Sequence, residues 1–210
     1  MTKQKSRTKS ADSRRRIARE AATLLYLGIE KEYKQAKLKA AANLGVHVLP
    51  SNIEVAIELD QIAGETEGPA RTERLIQMRS DALKIMKILR ASCPVLIGSV
   101  WRGTIRRGSD IDIEAFNEQP EALIELLKVG GTKVLKTQQV TTNEHGKTCS
   151  SIHVYGESLG GYPVEIVIRP LEAAGKKRTC DTFGDEIKGL TIQDLEKLLK
   201  EYPAKRFLPS

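Results

Sequence analysis

Apolar residues recur at helical spacing through the first ninety positions of the chain, and after that they run together or alternate over short stretches. From Ser13, the residues Ile17, Ala21, Leu24, Leu25 and Leu27 form one stripe that continues toward Leu38, and Leu44-Gly45 reads as its stop. A second helix is predicted after Pro50. Ser51 and Glu54 form a capping box ahead of Ile53, Val55, Ile57, Leu59 and Ile62, with an end at Gly64. Gly68-Pro69 opens a third helix that carries Leu75, Met78, Ala82, Ile85, Met86 and Leu89 and runs to about Ala91. These helices are expected to pack on the sheet that follows or to form a small helical lobe beside it.

The period changes after Cys93. Pro94 to Ile97 is an apolar run, and Asp110 to Ile113 alternates as the start of a strand that extends to Phe116. Gln119 to Leu127 reads as a short helix before Gly130-Gly131. Thr132 to Thr142 and Ser150 to Tyr155 alternate and are rich in β-branched residues, with Asn143 to Lys147 as the turn between them. A second turn, Ser158 to Gly161, leads into Tyr162 to Arg169. There Val164, Ile166 and Ile168 share one face, and Glu165 lies on the other with Val167. Thr191 caps a last amphipathic helix that passes through Leu195, Leu198 and Leu199 and ends near Pro203.

Composition narrows the setting more than the function. A chain of 210 residues is long enough to bury a sizeable core, and no run of eighteen apolar residues offers a membrane span. The first residues are charged where a secretory signal would be apolar, so a cytoplasmic protein is expected. Cys93, Cys149 and Cys180 are odd in number and widely spaced, which fits reduced thiols and neither a disulfide framework nor a zinc site. The net charge of +7 is unevenly placed. Residues 1–20 hold eight basic residues against Asp12 and Glu20, giving +6 and leaving about +1 for the remainder. A basic, disordered tail is expected over 1–12; it could contact RNA or an acidic partner, or simply solvate the terminus.

The chemistry concentrates in Gly98 to Ile113, GSVWRGTIRRGSDIDI. On a strand, Asp110 and Asp112 share a face, with Cα atoms roughly 6.6 Å apart, close enough to converge on hard cations. Two such carboxylates repel unless a divalent metal removes the penalty. Gly98 lets backbone approach a ligand, and Ser99 adds a hydroxyl and an N–H in a setting that favours anions. Metal at one end and phosphate at the other suggest a nucleoside triphosphate.

The stretch resembles the signature of the DNA polymerase beta nucleotidyltransferase superfamily, in which an apolar residue and Gly-Ser are followed after about ten residues by Asp-x-Asp. Ile97, Gly98, Ser99, Asp110 and Asp112 match it. The minimal nucleotidyltransferase branch is more similar still, through Arg102, Gly103 and Ser109, whereas Trp101 stands where a small residue is usual. The resemblance implies a mixed sheet flanked by helices. It also implies two Mg2+ (or Mn2+) ions about 3.5 to 4 Å apart and a nucleotide, ATP by expectation, held by Gly98, Ser99, Arg102 and Ser109. A third acidic ligand comes from a later strand. Glu165 is its candidate, since a lone carboxylate in an otherwise apolar strand is costly without a partner. Glu114 is a rival on the Asp112 face of its own strand. Arg102 would neutralise phosphate or orient the helix of the motif.

The remaining polar residues give weaker signals. His47, His145 and His153 have no metal-like spacing; His153 reads as a satisfied structural histidine, or as an aid to substrate binding if it shares a face with Glu165. Lys176, Lys177 and Arg178 form a basic cluster whose ordinary role is a solvated loop. The expectation is therefore an α+β protein, with a basic tail over 1–12, a helical region over 13–91 and a nucleotidyltransferase domain over 92–210. Asp110, Asp112 and Glu165 would be its catalytic and metal-binding residues. The acceptor hydroxyl would belong to RNA, a protein partner or a small molecule. A nucleotide-binding regulator without turnover, or an antitoxin-like interaction protein, is the competing class.

Overall fold

The computed structural model describes residues 2–46, 48–144 and 147–209, so His47 and His145 lie outside the described residues. Its helices are α1 (Thr2–Tyr26), α2 (Tyr33–Leu44), α3 (Asn52–Glu67), α4 (Pro69–Ile88), α5 (Gly98–Arg102), α6 (Pro120–Val129) and α7 (Ile192–Glu201). The strands are β1 (Val95–Ile97), β2 (Ile111–Phe116), β3 (Lys133–Glu144), β4 (Lys147–Glu157) and β5 (Pro163–Arg169). This is the α+β class with the mixed sheet that the sequence leads one to expect. The chain divides into two units, one of Met1–Gly68 with Thr179–Asp185 and the other of Pro69–Arg178 with Glu186–Ser210. Among the described residues no helix is long and apolar enough to cross a membrane.

The larger unit is built on the five-stranded sheet, in the order β1-β2-β5-β4-β3. β2 and β5 pair in parallel, and every other neighbouring pair is antiparallel. Because side chains alternate along a strand, each strand feeds both faces. Ile111, Ile113, Val154, Val164, Ile166 and Ile168 are buried in one core with Met78 and Met86 of α4, Leu127 of α6 and Leu195 of α7. Each such side chain contributes about 1.5–3 kcal/mol by leaving water. The opposite face carries Asp112, Glu114, His153, Tyr155 and Glu165, together with the apolar Phe116 and Val167.

Two charged side chains of α4 tie distant segments to this core. Asp81 accepts from Ser158 Oγ (2.7 Å) and Gly160 N (2.8 Å) in the β4–β5 turn, and from Lys84 Nζ (2.9 Å). Burial alone would raise its pKa, but these donors hold the carboxyl below its ordinary value. Arg79 is wholly buried and donates to four backbone carbonyls, those of Val100, Trp101, Pro203 and Lys205. Burial pushes it down to about 10, so it remains charged at neutral pH. Arg79 thereby satisfies the C-terminal carbonyls of α5, which have no partner inside so short a helix.

The smaller unit packs α1 against α2 and α3 through Ile17, Ala21, Leu25, Ala36, Ala40, Val55 and Ile62. The single apolar stripe expected from Ser13 to Leu44 is broken into two helices. Gly28 takes up φ 70°, and the N–H groups of Ile29 and Glu30 both turn back to Leu24 O. Leu27 and Leu38, expected on that stripe, are exposed, as is Ile57 of α3. Alanines carry the buried face of α2 and let the helices approach closely. Gly45 does end α2, in the left-handed conformation. The capping box of Ser51 and Glu54 opens α3, which continues through Gly64 to Glu67. One interior glycine costs only about 1 kcal/mol, and the last turns are held by Arg19 to Glu65 at 2.8 Å and Gln61 to Glu65 at 2.8 Å. Glu58 is buried and takes Arg15 and Arg19 as its counter-charges.

Candidate metal centre

The register of the sheet decides which polar side chains meet. Asp112 of β2 stands opposite Glu165 of β5, and Glu165 stands opposite Tyr155 of β4. On the far side, Asp112 stands opposite Ile97, the last residue of β1. β5 is flanked on both sides, so Glu165 lies within the sheet and not at an edge. Asp110, just before β2, shares the face of Asp112. Asp110, Asp112 and Glu165 are each half-buried, and each offers a carboxylate oxygen within 4.8 Å of the others.

The backbone beside this group is shaped for close approach. Gly98 has φ 69°, where an L side chain is strained, and a Cβ there would collide with the Asp112 carboxylate. Ile97 closes β1 and α5 starts at once, so Gly98 and Ser99 sit beside Asp112 in space although they precede it in sequence. The turn before Asp110 is tightened by Ser109. Its Oγ accepts from Arg106 N at 2.9 Å, and its own N–H donates to Arg106 O at 3.0 Å.

Electrostatics sets the two aspartates apart. Burial, then the charges of Asp110 and Glu165, push the Asp112 carboxyl up to about 8. Burial is also the main cause that raises Asp110, followed by Glu165, while Arg106 acts in the opposite sense. The group is an all-oxygen donor set with excess negative charge, which suits a hard divalent cation such as Mg2+ or Mn2+. A bound cation would favour the ionised form of all three at neutral pH.

The other residues singled out from the sequence fall in different places. Glu114 is not one of the metal-ligating group; it is buried and held by Arg169 and, at 2.6 Å, by Arg178. Arg178 is thus drawn out of the basic cluster, while Lys177 stands 3.6 Å from Glu186. Arg102 is buried, stacks over the Trp101 ring at 4.5 Å and donates to Phe207 O at 3.2 Å. Phe207 N returns a bond to Arg102 O at 2.9 Å.

His153 does share the face of Glu165, and its Nδ1 lies 2.6 Å from Glu165 Oε1. Tyr155 stands beside Glu165 on the neighbouring strand. Burial and then the Glu165 charge hold the Tyr155 phenol above its ordinary value. Tyr155 escapes notice in the sequence because its relevance depends on the β4–β5 register. The available signal is the His-x-Tyr spacing, which puts two polar rings on one face.

No protein-family model matches the chain, and no curated protein matches it. Among solved structures, the chain is similar to a cytoplasmic RNA terminal U-transferase, at 13% identity and a TM-score of 0.33, over 56% of this chain and 34% of that one. It is also similar to a GLD-2/RNP-8 complex, at 10% identity and a TM-score of 0.33, over 58% of this chain and 38% of that one. The chain therefore spans little more than a third of either structure.

Proposed function

We propose that the chain is a metal-dependent nucleotidyltransferase that moves an NMP group from a nucleoside triphosphate, ATP in the first instance, to an acceptor hydroxyl with release of pyrophosphate. One observation carries the reading. Three carboxylates from two parallel strands meet within 4.8 Å beside a backbone position where a side chain would strike Asp112. Asp110, Asp112 and Glu165 would hold Mg2+, which supplies Lewis-acid stabilisation of the charge that develops in transfer. Gly98 keeps the approach to Asp112 open, and Ser99 offers its hydroxyl and N–H to phosphate. Ser109 shapes the turn that presents Asp110. Arg102, held by Phe207 and Trp101, fits the orienting role better than direct contact with phosphate.

The acceptor is RNA, a protein or a small molecule, and the basic first twenty residues favour one of the two macromolecules. The test is incubation of the purified chain with each α-labelled NTP and Mg2+ or Mn2+, in the presence of total RNA or cell lysate. Label is expected in RNA or in protein, which names the acceptor class. Label in neither, together with tight binding of a non-hydrolysable ATP analogue, would overturn transfer in favour of a nucleotide-binding regulator.

A further inference from the structure

We propose that His153 is a positioning residue for the third carboxylate: it commits one oxygen of Glu165 to the protein and leaves the other for the ion. This rests on the metal-binding part of the function proposed above.

His153 Nδ1 lies 2.6 Å from Glu165 Oε1, and His153 Nε2 lies 3.1 Å from Ser151 Oγ. An ionised carboxylate only accepts, so Nδ1 carries the hydrogen in that bond. The Ser151 hydroxyl lies within hydrogen-bond distance of Nε2, so both ring nitrogens have a partner. Ser151 is buried and lies two residues before His153 on β4, so the ring is oriented by the strand that carries it. The groups around Glu165 are His153, which hydrogen-bonds it, Tyr155, which stands opposite it on β4, and the acids Asp110 and Asp112.

Unlike its two aspartate neighbours, glutamate reaches the site through an extra methylene and one more rotatable bond. Unrestrained, it would populate rotamers that withdraw it from the ion or turn both oxygens onto it. The His153 bond removes that freedom before any cation arrives, and partners of this kind, behind a metal ligand, are worth about 10- to 100-fold in metal affinity or activity.

The test is calorimetric titration of Mn2+ into the full chain, with NMP transfer as a second readout. His153→Leu is expected to weaken Mn2+ binding about 10- to 100-fold while the melting temperature stays near that of the wild type. His153→Asn, whose Nδ2 falls close to the position of Nδ1, should restore most of the affinity; His153→Gln, whose amide reaches toward Nε2, should not. Wild-type affinity in His153→Leu, or no recovery in His153→Asn relative to it, overturns the proposal. If His153→Leu does not fold, Ser151→Ala decides instead. A severalfold loss of affinity supports the relay from Ser151, and no loss overturns it. Asp112→Asn separates the two possible failures. If the wild type binds Mn2+, Asp112→Asn does not, and His153→Leu binds as the wild type does, only the positioning role falls. If the wild type binds no divalent ion, both readings fall. If it binds Mn2+ but transfers nothing, nucleotidyl transfer falls and the affinity series still judges His153.

Discussion

Asp112 and Glu114 lie two residues apart on the same face of β2, and the protein treats them in opposite ways. Glu114 is buried and receives two counter-charges from the chain itself, Arg169 and Arg178. Asp112 has two further acids as neighbours, and its carboxyl is raised to about 8. One carboxylate is neutralised internally and contributes to the fold; the other carries an unmet demand for positive charge that a ligand can fill. The residues that alternate with them, Ile111, Ile113 and Ala115, are fully buried on the other face and serve packing alone. Composition along a strand therefore says little about function until each acid's counter-charge has been found.

Four experiments can break or sharpen that contrast. Asp112→Asn should lower transfer by about 10³-fold, or about 4 kcal/mol of barrier, without loss of thermal stability, because it removes a carboxylate that the fold does not neutralise. A melt beside a transfer assay checks both halves. Arg169→Met should do the reverse. Breaking a buried pair costs about 3–5 kcal/mol, and with Arg178 still present the lower end is expected. Adding Glu114→Gln should recover much of that loss in urea unfolding. On the packed face, Ile113→Ala should cost about 2–3 kcal/mol and leave Mn2+ affinity unchanged by calorimetry. An altered affinity would mean that the two faces are not separable.

The smallest effect concerns pH. The folded-state pKa of Asp112 lies near 8, above its ordinary value of 3.8, so the folded chain binds more protons than the unfolded one between these limits. Stability of the metal-free protein should therefore fall as pH rises from about 4 to 8. After discounting for solvent the effect is roughly 1 kcal/mol, or ~2–4 °C in melting temperature. In EDTA the melting temperature should decline from pH 5 to pH 8, and Mg2+ should raise it more at pH 8 than at pH 6. A flat profile in EDTA would contradict the raised carboxyl, and Asp112→Asn should itself reduce the slope, with Asp110 left to contribute the rest.

Local signals in the sequence were read well where one residue type has one conformational use. The capping boxes at Ser51 and Thr191 and the left-handed stop at Gly45 are of this kind. Glu165 could be singled out because a lone carboxylate in an apolar strand needs a reason, and the structure brings it to Asp110 and Asp112. Gly28 and Gly64 show the limit. The first breaks a helix and the second is absorbed by one, and the difference lies in partners such as Arg19 and Glu65 that only tertiary structure supplies. His153 could be named only conditionally, and Tyr155 not at all, for a related reason, since their places beside Glu165 follow from a cross-strand register that periodicity within β4 does not encode. Arg79 gives no signal of its own in the sequence, whereas Arg102 reads as a residue that neutralises phosphate or orients the helix of the motif. Both proved buried and bound to carbonyls contributed in part by the C-terminal segment.

The pairing of Asp112 with Glu165 has a temporal side. As the chain emerges during synthesis, both aspartates are available well before β5 exists, and α6, β3 and β4 intervene. Closing so long a loop into a parallel pair is slow, so the third ligand arrives late. An ion that needs all three carboxylates can then tell a finished molecule from a nascent one, and at saturating concentration it adds stability only to the former. Metal affinity in this chain would thus serve as a record of completed folding.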